Sequence, residues 1–288
     1  MQAQQSFGKQ TMGVLYLVPT PIGNLQDMTF RAVRTLKDVD LIAAEDTRNT
    51  QKLLNHFEIE TKQISFHEHN TSERIPQLVA KLAAGMSIAQ VSDAGMPSIS
   101  DPGQELVAQC VAQQIVVVPL PGANAGLTGL IASGLVPQPF YFYGFLGRKT
   151  GQQEEELQTL ALHPETLIFY EAPHRLKKTL TNIVAIFGEK RQGVLARELT
   201  KKHEEFIRGS LAELLEWATE TNVRGEFVIL VAGNQNSTRV SDQNELTPVN
   251  DQINRLIGDG LSPNVAIKQV AKQRNLNRQE VYKNYHQL

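Results

Sequence analysis

Three short charged clusters carry much of the chemistry legible in this chain: Glu45-Asp46-Thr47-Arg48, Glu171-Ala172-Pro173-His174-Arg175 and Arg197-Glu198-Leu199-Thr200-Lys201-Lys202. Each follows an apolar, β-prone run, so each is expected at a strand end. A carboxylate beside a cation at such a place can accept a proton or orient a substrate. Taken alone, one such cluster reads as a helix cap or a surface ion pair of little energetic value. Three of them around one cleft point to function.

A fourth segment, Ser92-Asp93-Ala94-Gly95-Met96-Pro97-Ser98-Ile99-Ser100-Asp101-Pro102-Gly103, directly follows the apolar run Ile88-Ala89-Gln90-Val91. Its glycines permit positive φ or close approach of backbone to a ligand, and its prolines stiffen the loop. Two further strands end the same way. Val14–Val18 runs into Pro19-Thr20-Pro21-Ile22-Gly23-Asn24, and Ile115–Val118 into Pro119-Leu120-Pro121-Gly122-Ala123-Asn124. Strand ends with free backbone N–H groups, gathered at one sheet edge, form the crevice in which open α/β folds bind ligands.

Several chemistries are excluded or disfavoured. No G-x-x-x-x-G-K-[ST] loop and no G-x-G-x-x-G fingerprint occurs. His67-Glu68-His69 puts two imidazoles on one strand face, but a third ligand is missing, so no metal is expected. A net charge of −2 provides no global field for nucleic acid, so RNA contact needs a local patch. The single cysteine, Cys110, cannot form an internal disulfide and fits a reducing cytoplasm as apolar filler. Residues 106–147 lack Asp, Glu, Lys, Arg and His, yet prolines and glycines cut the stretch into pieces too short for a bilayer. The first dozen residues have no apolar signal core and are expected as a loose, disordered tail.

The elements that must position these groups follow from periodicity. Residues 13–122 alternate short strands with amphipathic helices, including one from Asp27 to about Leu36 and one from Ser72 to Ala84 ended by Gly85. That alternation predicts a mostly parallel sheet covered on both faces. Residues 123–233 contain more strands than helices, which predicts a mixed sheet. The polar stretch 234–250 reads as a linker. Residues 251–288 read as a basic, helix-turn-helix-like module, with six Lys/Arg against three Asp/Glu from 248 onward.

Taken in order, VPTPIGNL (18–25), AAEDTR (43–48), VSDAGMPSISDPG (91–103), PLPG (119–122), FYEAPHR (169–175), ARELTK (196–201) and GEFVIL (225–230) resemble the signatures of the small-subunit ribosomal RNA methyltransferase I family. Its members have the tetrapyrrole-methylase fold, a class III S-adenosylmethionine-dependent architecture: two α/β domains with a cleft between them, here followed by the small helical module. The resemblance implies S-adenosylmethionine in that cleft and methylation of a cytidine ribose 2′-hydroxyl in 16S rRNA of the small ribosomal subunit. It implies cofactor contacts at Pro21, Gly23, Asp93, Ala94, Gly95, Met96, Ile99, Pro121, Gly122, Ala123, Asn124, Ala125, Tyr170, Glu171, Ala172, Ala196 and Glu226. A side chain at Gly122 would then occupy ligand space.

Asp46 and Glu198, backed by Glu45, are the candidate general bases. Arg48, Arg148, Lys149, Arg175 and Lys201 are candidate phosphate contacts, joined by Lys268, Lys272, Arg274 and Arg278 of the tail. Two positions depart from the family pattern: Met96 stands where threonine is usual, and Ala123-Asn124 where proline and a small polar residue are usual. The resemblance and the charge-free stretch 106–147 together predict a cytoplasmic homodimer without membrane contact. Two other readings remain open, a methylase of a small corrinoid precursor and a non-catalytic RNA-binding ribosome assembly factor.

Overall fold

The computed structural model describes residues 3–8, 11–101, 103–234, 248–258, 262–274 and 276–286. The sequence pattern also predicts a helix over 102–113; its first residue, and most of the expected linker (235–247), lie outside the described residues.

The first sheet contains β1 (Val14–Leu17), β2 (Leu41–Ala44), β3 (Gln63–Ser65), β4 (Ile88–Val91) and β5 (Val116–Pro119) in the order β3-β2-β4-β1-β5, every pair parallel. All residues of β2 and β4 are buried, as expected for central parallel strands covered on both faces. Alternate residues feed opposite cores. Val14, Ile42 and Ala44 pack in one cluster, while Leu15, Leu41 and Ala43 pack in another with Cys110. Four helices cover the faces: α1 (Phe30–Asp38), α2 (Thr47–His56), α3 (Thr71–Ala83) and α4 (Gly103–Ala112).

Parallel pairing puts the loops after β1, β2, β3, β4 and β5 at one edge. Two of them are stitched together, because Thr20 and Gly95 exchange backbone hydrogen bonds of 3.0 Å in both directions. The Thr20 hydroxyl also donates to the Ser92 carbonyl at 3.0 Å. Gly95 sits at φ +77°, where an L side chain is strained.

Two local expectations change. Asp27 does not open α1. It ends a 3-10 turn (Leu25–Asp27) capped by Asn24, and Thr29 caps α1 by accepting from the Ala32 N–H at 3.1 Å. Thr29 outcompetes Asp27 because Met28 is extended and interrupts the helix between them. The N-terminal segment is also tied down at Gln4. Its amide donates to the Val117 carbonyl and accepts from the Val117 N–H, at 2.8 and 3.0 Å. An edge strand leaves those backbone groups unpaired, and Gln4 satisfies them.

The chain changes sheet between β5 and α5 (Ala125–Ser133). The second sheet contains β6 (Phe140–Phe145), β7 (Thr166–Glu171), β8 (Gln192–Arg197), β9 (Glu205–Ser210) and β10 (Phe227–Val231), ordered β6-β7-β10-β8-β9. It is mixed: β6 and β7 are parallel and the other pairs antiparallel. Leu167 and Phe169 face α6 (Thr150–Leu160), α7 (Pro173–Phe187) and α8 (Leu211–Glu220), whereas Ile168 joins Leu130 of α5 in a separate cluster. Three helices, α9 (Val249–Gly258), α10 (Pro263–Gln273) and α11 (Arg278–His286), follow with a core of their own around Ile253, Ile267, Val270 and Val281.

Candidate functional site

A cleft of about 600 Å³ opens where the loop edge of the first sheet meets the second sheet. The first sheet lines it with Glu45 after β2, Ser92 to Met96, Ile99, Ser100 and Asp101 after β4, and Ile22 after β1. Asn124 and Ala125 contribute from the start of α5. The second sheet adds Phe145, Tyr170 to Pro173, Ala196, Leu199, Lys201 and Glu226 to Val228. The size suits a small-molecule site.

On the first wall, carboxylates organise the loops. Glu45 accepts from the Asp93 N–H at 3.0 Å. Asp93 in turn accepts from the Asp46 N–H and from the Asn49 amide, each at 3.2 Å. Asp101 accepts from the Ser98 and Gly103 N–H groups at 2.6 and 3.2 Å, holding Ser98 at φ +71°. Burial pushes the Glu45 pKa up, and the charges of Asp93, Asp101 and Glu68 add to this against one backbone hydrogen bond. Burial likewise raises Asp101. Asp46 behaves in the opposite way. Its carboxylate caps α2 and grips the Arg48 guanidinium at 2.7 and 3.0 Å, which holds its pKa down at about 2.

The second wall is built on ion pairs. Lys201 Nζ lies 2.9 Å from both Glu198 Oε1 and Glu226 Oε2. Burial alone would raise Glu198, but hydrogen bonds from Lys201 and from the Glu226 N–H, with the charges of Lys201 and Arg197, bring its pKa below the usual value. Lys201 is raised by the same two carboxylates despite its burial. The connecting turn holds Glu198 at φ +50° and Thr200 at φ +66°, strain of the kind that packed functional loops retain. Gly23 makes room for this arrangement, because a Cβ there would collide with the Lys201 side chain.

Glu171, expected as a cofactor contact, lines the cleft but is buried and bound from three sides. Thr179 Oγ1 donates at 2.6 Å, the Ala172 N–H at 2.8 Å, and Arg175 Nε sits at 3.4 Å. Arg175 itself donates to the Leu146 and Gly147 carbonyls at 2.9 and 3.0 Å, so it anchors the loop that carries Arg148 and Lys149. Tyr170 ties α5 to β7, its hydroxyl accepting from the Gly126 N–H at 3.0 Å.

Among the expected cofactor residues, Asp93, Ala94, Gly95, Met96, Ile99, Asn124, Ala125, Tyr170, Glu171, Ala172, Ala196 and Glu226 line the cleft. Pro21, Gly23, Pro121, Gly122 and Ala123 are not among its lining residues. At Gly122 a Cβ would lie 2.6 Å from the Pro19 ring, so the glycine serves loop-to-loop packing. The two positions departing from the family pattern touch each other, with Asn124 Nδ2 3.6 Å from Met96 Sδ. Of the candidate bases only Glu45 lines the cleft.

Arg48, Arg148 and Lys149 are exposed, as are Lys268, Lys272 and Arg278. Arg274 is partly buried and donates to Gln252 Oε1 at 2.8 Å. Sequence reasoning missed Ile22, Ser92, Ser100, Asp101, Phe145, Pro173, Leu199, Phe227 and Val228 as lining residues. Most are apolar and carry no local mark that separates a cleft wall from a core. Asp101, in contrast, sits inside the segment already singled out and was legible there. Among the described residues, no group of His, Cys, Asp or Glu is placed to hold a metal ion.

The residues present suit a cationic methyl donor. Glu45, Asp93, Asp101 and Glu226 outnumber the one lining cation, Lys201, and Ile22, Met96, Ile99, Leu199 and Val228 offer apolar walls. Comparison with known proteins points the same way. A family model described as Tetrapyrrole (Corrin/Porphyrin) Methylases matches residues 14–215. A Streptococcus pyogenes protein named Ribosomal RNA small subunit methyltransferase I is 58% identical, covering 100% of both chains. A Bacillus subtilis protein of the same name is 52% identical over 99% of each. Among solved structures, a cobalt precorrin-4 methyltransferase superposes with TM-score 0.59 at 18% identity, over 76% of this chain and 94% of that one. A Thermus thermophilus uroporphyrin-III C-methyltransferase, crystallised with S-adenosylhomocysteine, gives 0.56 at 18%, over 79% and 100%. At such identities these two establish the shared fold.

Proposed function

The chain belongs to the tetrapyrrole methylase family, within the group named ribosomal RNA small subunit methyltransferase I, and we propose that it methylates the ribose 2′-hydroxyl of a cytidine in 16S rRNA. It is a methyltransferase and its methyl donor is S-adenosylmethionine. The donor supplies an activated methyl group on a sulfonium. What remains for the protein is to bind it, align the acceptor oxygen and take up the hydroxyl proton.

The loop Ser92–Met96 and the start of α5 would hold the donor, with the lining carboxylates complementing its positive charge. Glu45 carries the acceptor assignment. It lines the cleft, and its pKa is raised toward the range useful for general-base catalysis near neutral pH. Asp46, at about 2 and engaged by Arg48, is too weak a base for the task. Glu198, neutralised by Lys201, holds the second wall in place. The exposed Arg48, Arg148 and Lys149 would contact RNA phosphates, which the acidic cleft itself repels.

A tritium-transfer assay offering small ribosomal subunits, naked rRNA and a corrinoid precursor tests this reading. Label recovered in a 2′-O-methylated cytidine supports it, and label in the corrinoid alone refutes it.

The protein would act in the cytoplasm as a homodimer. No helix among the described residues is long and apolar enough to cross a membrane. Ile131, Val136, Phe140 and Tyr141 expose apolar surface of the kind that subunit interfaces cover. Light scattering should give twice the 32.0 kDa of one chain, and a monomer mass would refute the dimer.

A further inference from the structure

Strand register fixes which loops meet at the cleft edge of the second sheet. Phe227, the first residue of β10, pairs with Glu171 at the end of β7 and with Arg197 at the end of β8. Phe145 at the end of β6 pairs with Tyr170. The loops after β6, β7 and β8 and the loop before β10 therefore emerge side by side. Two contacts hold the last of them in place: Arg197 Nε donates to the Arg224 carbonyl at 2.7 Å, and the Glu198 N–H to the Glu226 carbonyl at 3.0 Å. Phe145, Ala172, Lys201 and Glu226, from these strand ends and loops, line the cleft.

We propose that this edge is a track for the sugar–phosphate backbone of the substrate RNA, on which Lys202 and Arg224 join Arg148 and Lys149 as phosphate contacts; the proposal rests on the ribosomal RNA reading above. The charges along the edge divide into engaged and free. Glu198 and Glu226 share Lys201 at 2.9 Å each. Glu205 pairs with Arg197 at 3.0 Å, and Glu204 accepts from the Thr200 N–H at 2.6 Å. These carboxylates all have donors within the fold. Arg148, Lys149, Lys202 and Arg224 are exposed, and among the described residues none of their side chains makes a hydrogen bond or ion pair. Lys201, the cation that the sequence marks, is thus neutralised, and the unmarked Lys202 beside it is left free.

The spacing suits a polymer rather than a single phosphate. Arg148 and Lys149 lie in the β6–α6 loop, Arg224 in the α8–β10 loop and Lys202 in the β8–β9 loop. In the order β6-β7-β10-β8, three strand spacings separate the first of these loops from the last, roughly 14 Å in all. One phosphate cannot bridge that span, and the backbone of a few nucleotides can.

The opposite wall gives the RNA backbone no such course. The loops after β2, β3 and β4 carry Glu45, Asp46, Glu68, Asp93 and Asp101 and no lysine or arginine. Arg48, at the start of α2, is held by Asp46 at 2.7 Å. Phosphates are repelled from the first sheet and attracted to the second. A strand on the track keeps its phosphates off the acidic cleft and offers its ribose across it to Glu45.

The test measures binding of full-length enzyme, saturated with S-adenosylhomocysteine, to small ribosomal subunits over a range of salt. Lys202→Ala combined with Arg224→Ala should weaken binding about 10-fold at physiological salt and lower the salt slope by about 1–2. Adding Arg148→Ala and Lys149→Ala should bring the total reduction in slope to about 3. Lys62→Ala combined with Lys190→Ala removes the same charge from exposed positions before β3 and β8, at the far ends of the two sheets. That control should keep the wild-type slope. Calorimetry with S-adenosylhomocysteine should give wild-type affinity for every variant and so report an intact cleft.

An unchanged slope in the Lys202→Ala, Arg224→Ala variant, with methyl transfer to subunits intact, overturns the track and leaves the function standing. An equal fall in the Lys62→Ala, Lys190→Ala control also overturns it, because binding then responds to net charge alone. Wild-type enzyme that modifies no ribosomal nucleotide overturns the function and the track together.

Discussion

On the wall built by the first sheet, Glu45 and Asp101 hold their protons more tightly than free carboxylates, whereas across the cleft Glu198 is driven the other way. The residue types are the same and only the surroundings differ. Glu45 is half-buried among other carboxylates. Glu198 is also desolvated, but the Lys201 ammonium 2.9 Å away and a backbone N–H more than offset that cost. A carboxylate short of counter-charge is available for proton transfer, and one locked in an ion pair is available for architecture.

Arg175→Ala probes the architectural wall and should have the largest effect on stability. It leaves the buried Glu171 carboxylate without its cation and frees the Leu146–Gly147 carbonyls. A loss of about 3 kcal/mol in denaturant unfolding is expected, and unchanged stability would remove Arg175 from this role.

Lys201→Met should cost less, about 1–2 kcal/mol. Its signature is pH dependence. The lowered Glu198 contributes stability that is present above its unfolded pKa and is lost as pH falls through the folded value. The raised Lys201 contributes stability that is present below its unfolded pKa and is lost as pH rises through the folded one. The variant should flatten both flanks of the stability profile, and a profile parallel to wild type would contradict the clamp.

Pairing Arg148→Ala with Lys149→Ala should leave stability and cofactor affinity alone. Binding to ribosomal subunits should weaken, with the salt slope reduced by about 1–2. An unchanged slope would move RNA recognition elsewhere, with Lys268, Lys272 and Arg278 as the next exposed group to test.

Glu45→Gln should change stability only slightly, and in the favourable direction. A raised carboxylate pKa means that the folded state binds its proton more tightly than the unfolded chain does. Folding therefore loses stability as pH climbs through that window. The amide removes the loss, so melting near neutral pH should rise slightly, with no gain in acid. A lower melting temperature at neutral pH would show that the charge is compensated.

The two walls were not equally legible in the sequence. The first is written locally: Pro/Gly-rich loops follow short apolar strands, and all-parallel pairing necessarily gathers them at one edge. The second depends on distant partners. Lys201 reads as a phosphate ligand until Glu226, in the loop just before β10, is seen beside it. Arg175 reads the same way until its carbonyl acceptors from the β6 end appear. Asp46 reads as one of the candidate bases because sequence shows a carboxylate at a strand end and hides that its oxygens are already engaged by Arg48. Leu199, Phe145 and Val228 went unread as cleft residues because an apolar side chain has the same sequence signature in a cleft wall and in a core.

The functional half of the comparison is tested most directly by single-turnover methyl transfer to small ribosomal subunits across pH, with wild type and Glu45→Gln compared at saturating S-adenosylmethionine. Wild type should lose rate as pH falls through the raised Glu45 pKa. Glu45→Gln should be slower by about 10²–10⁴-fold and lack that acidic limb, with S-adenosylhomocysteine affinity unchanged. A Glu45→Gln enzyme that keeps the wild-type rate and the same acidic limb would contradict the account and return the proton to another acceptor.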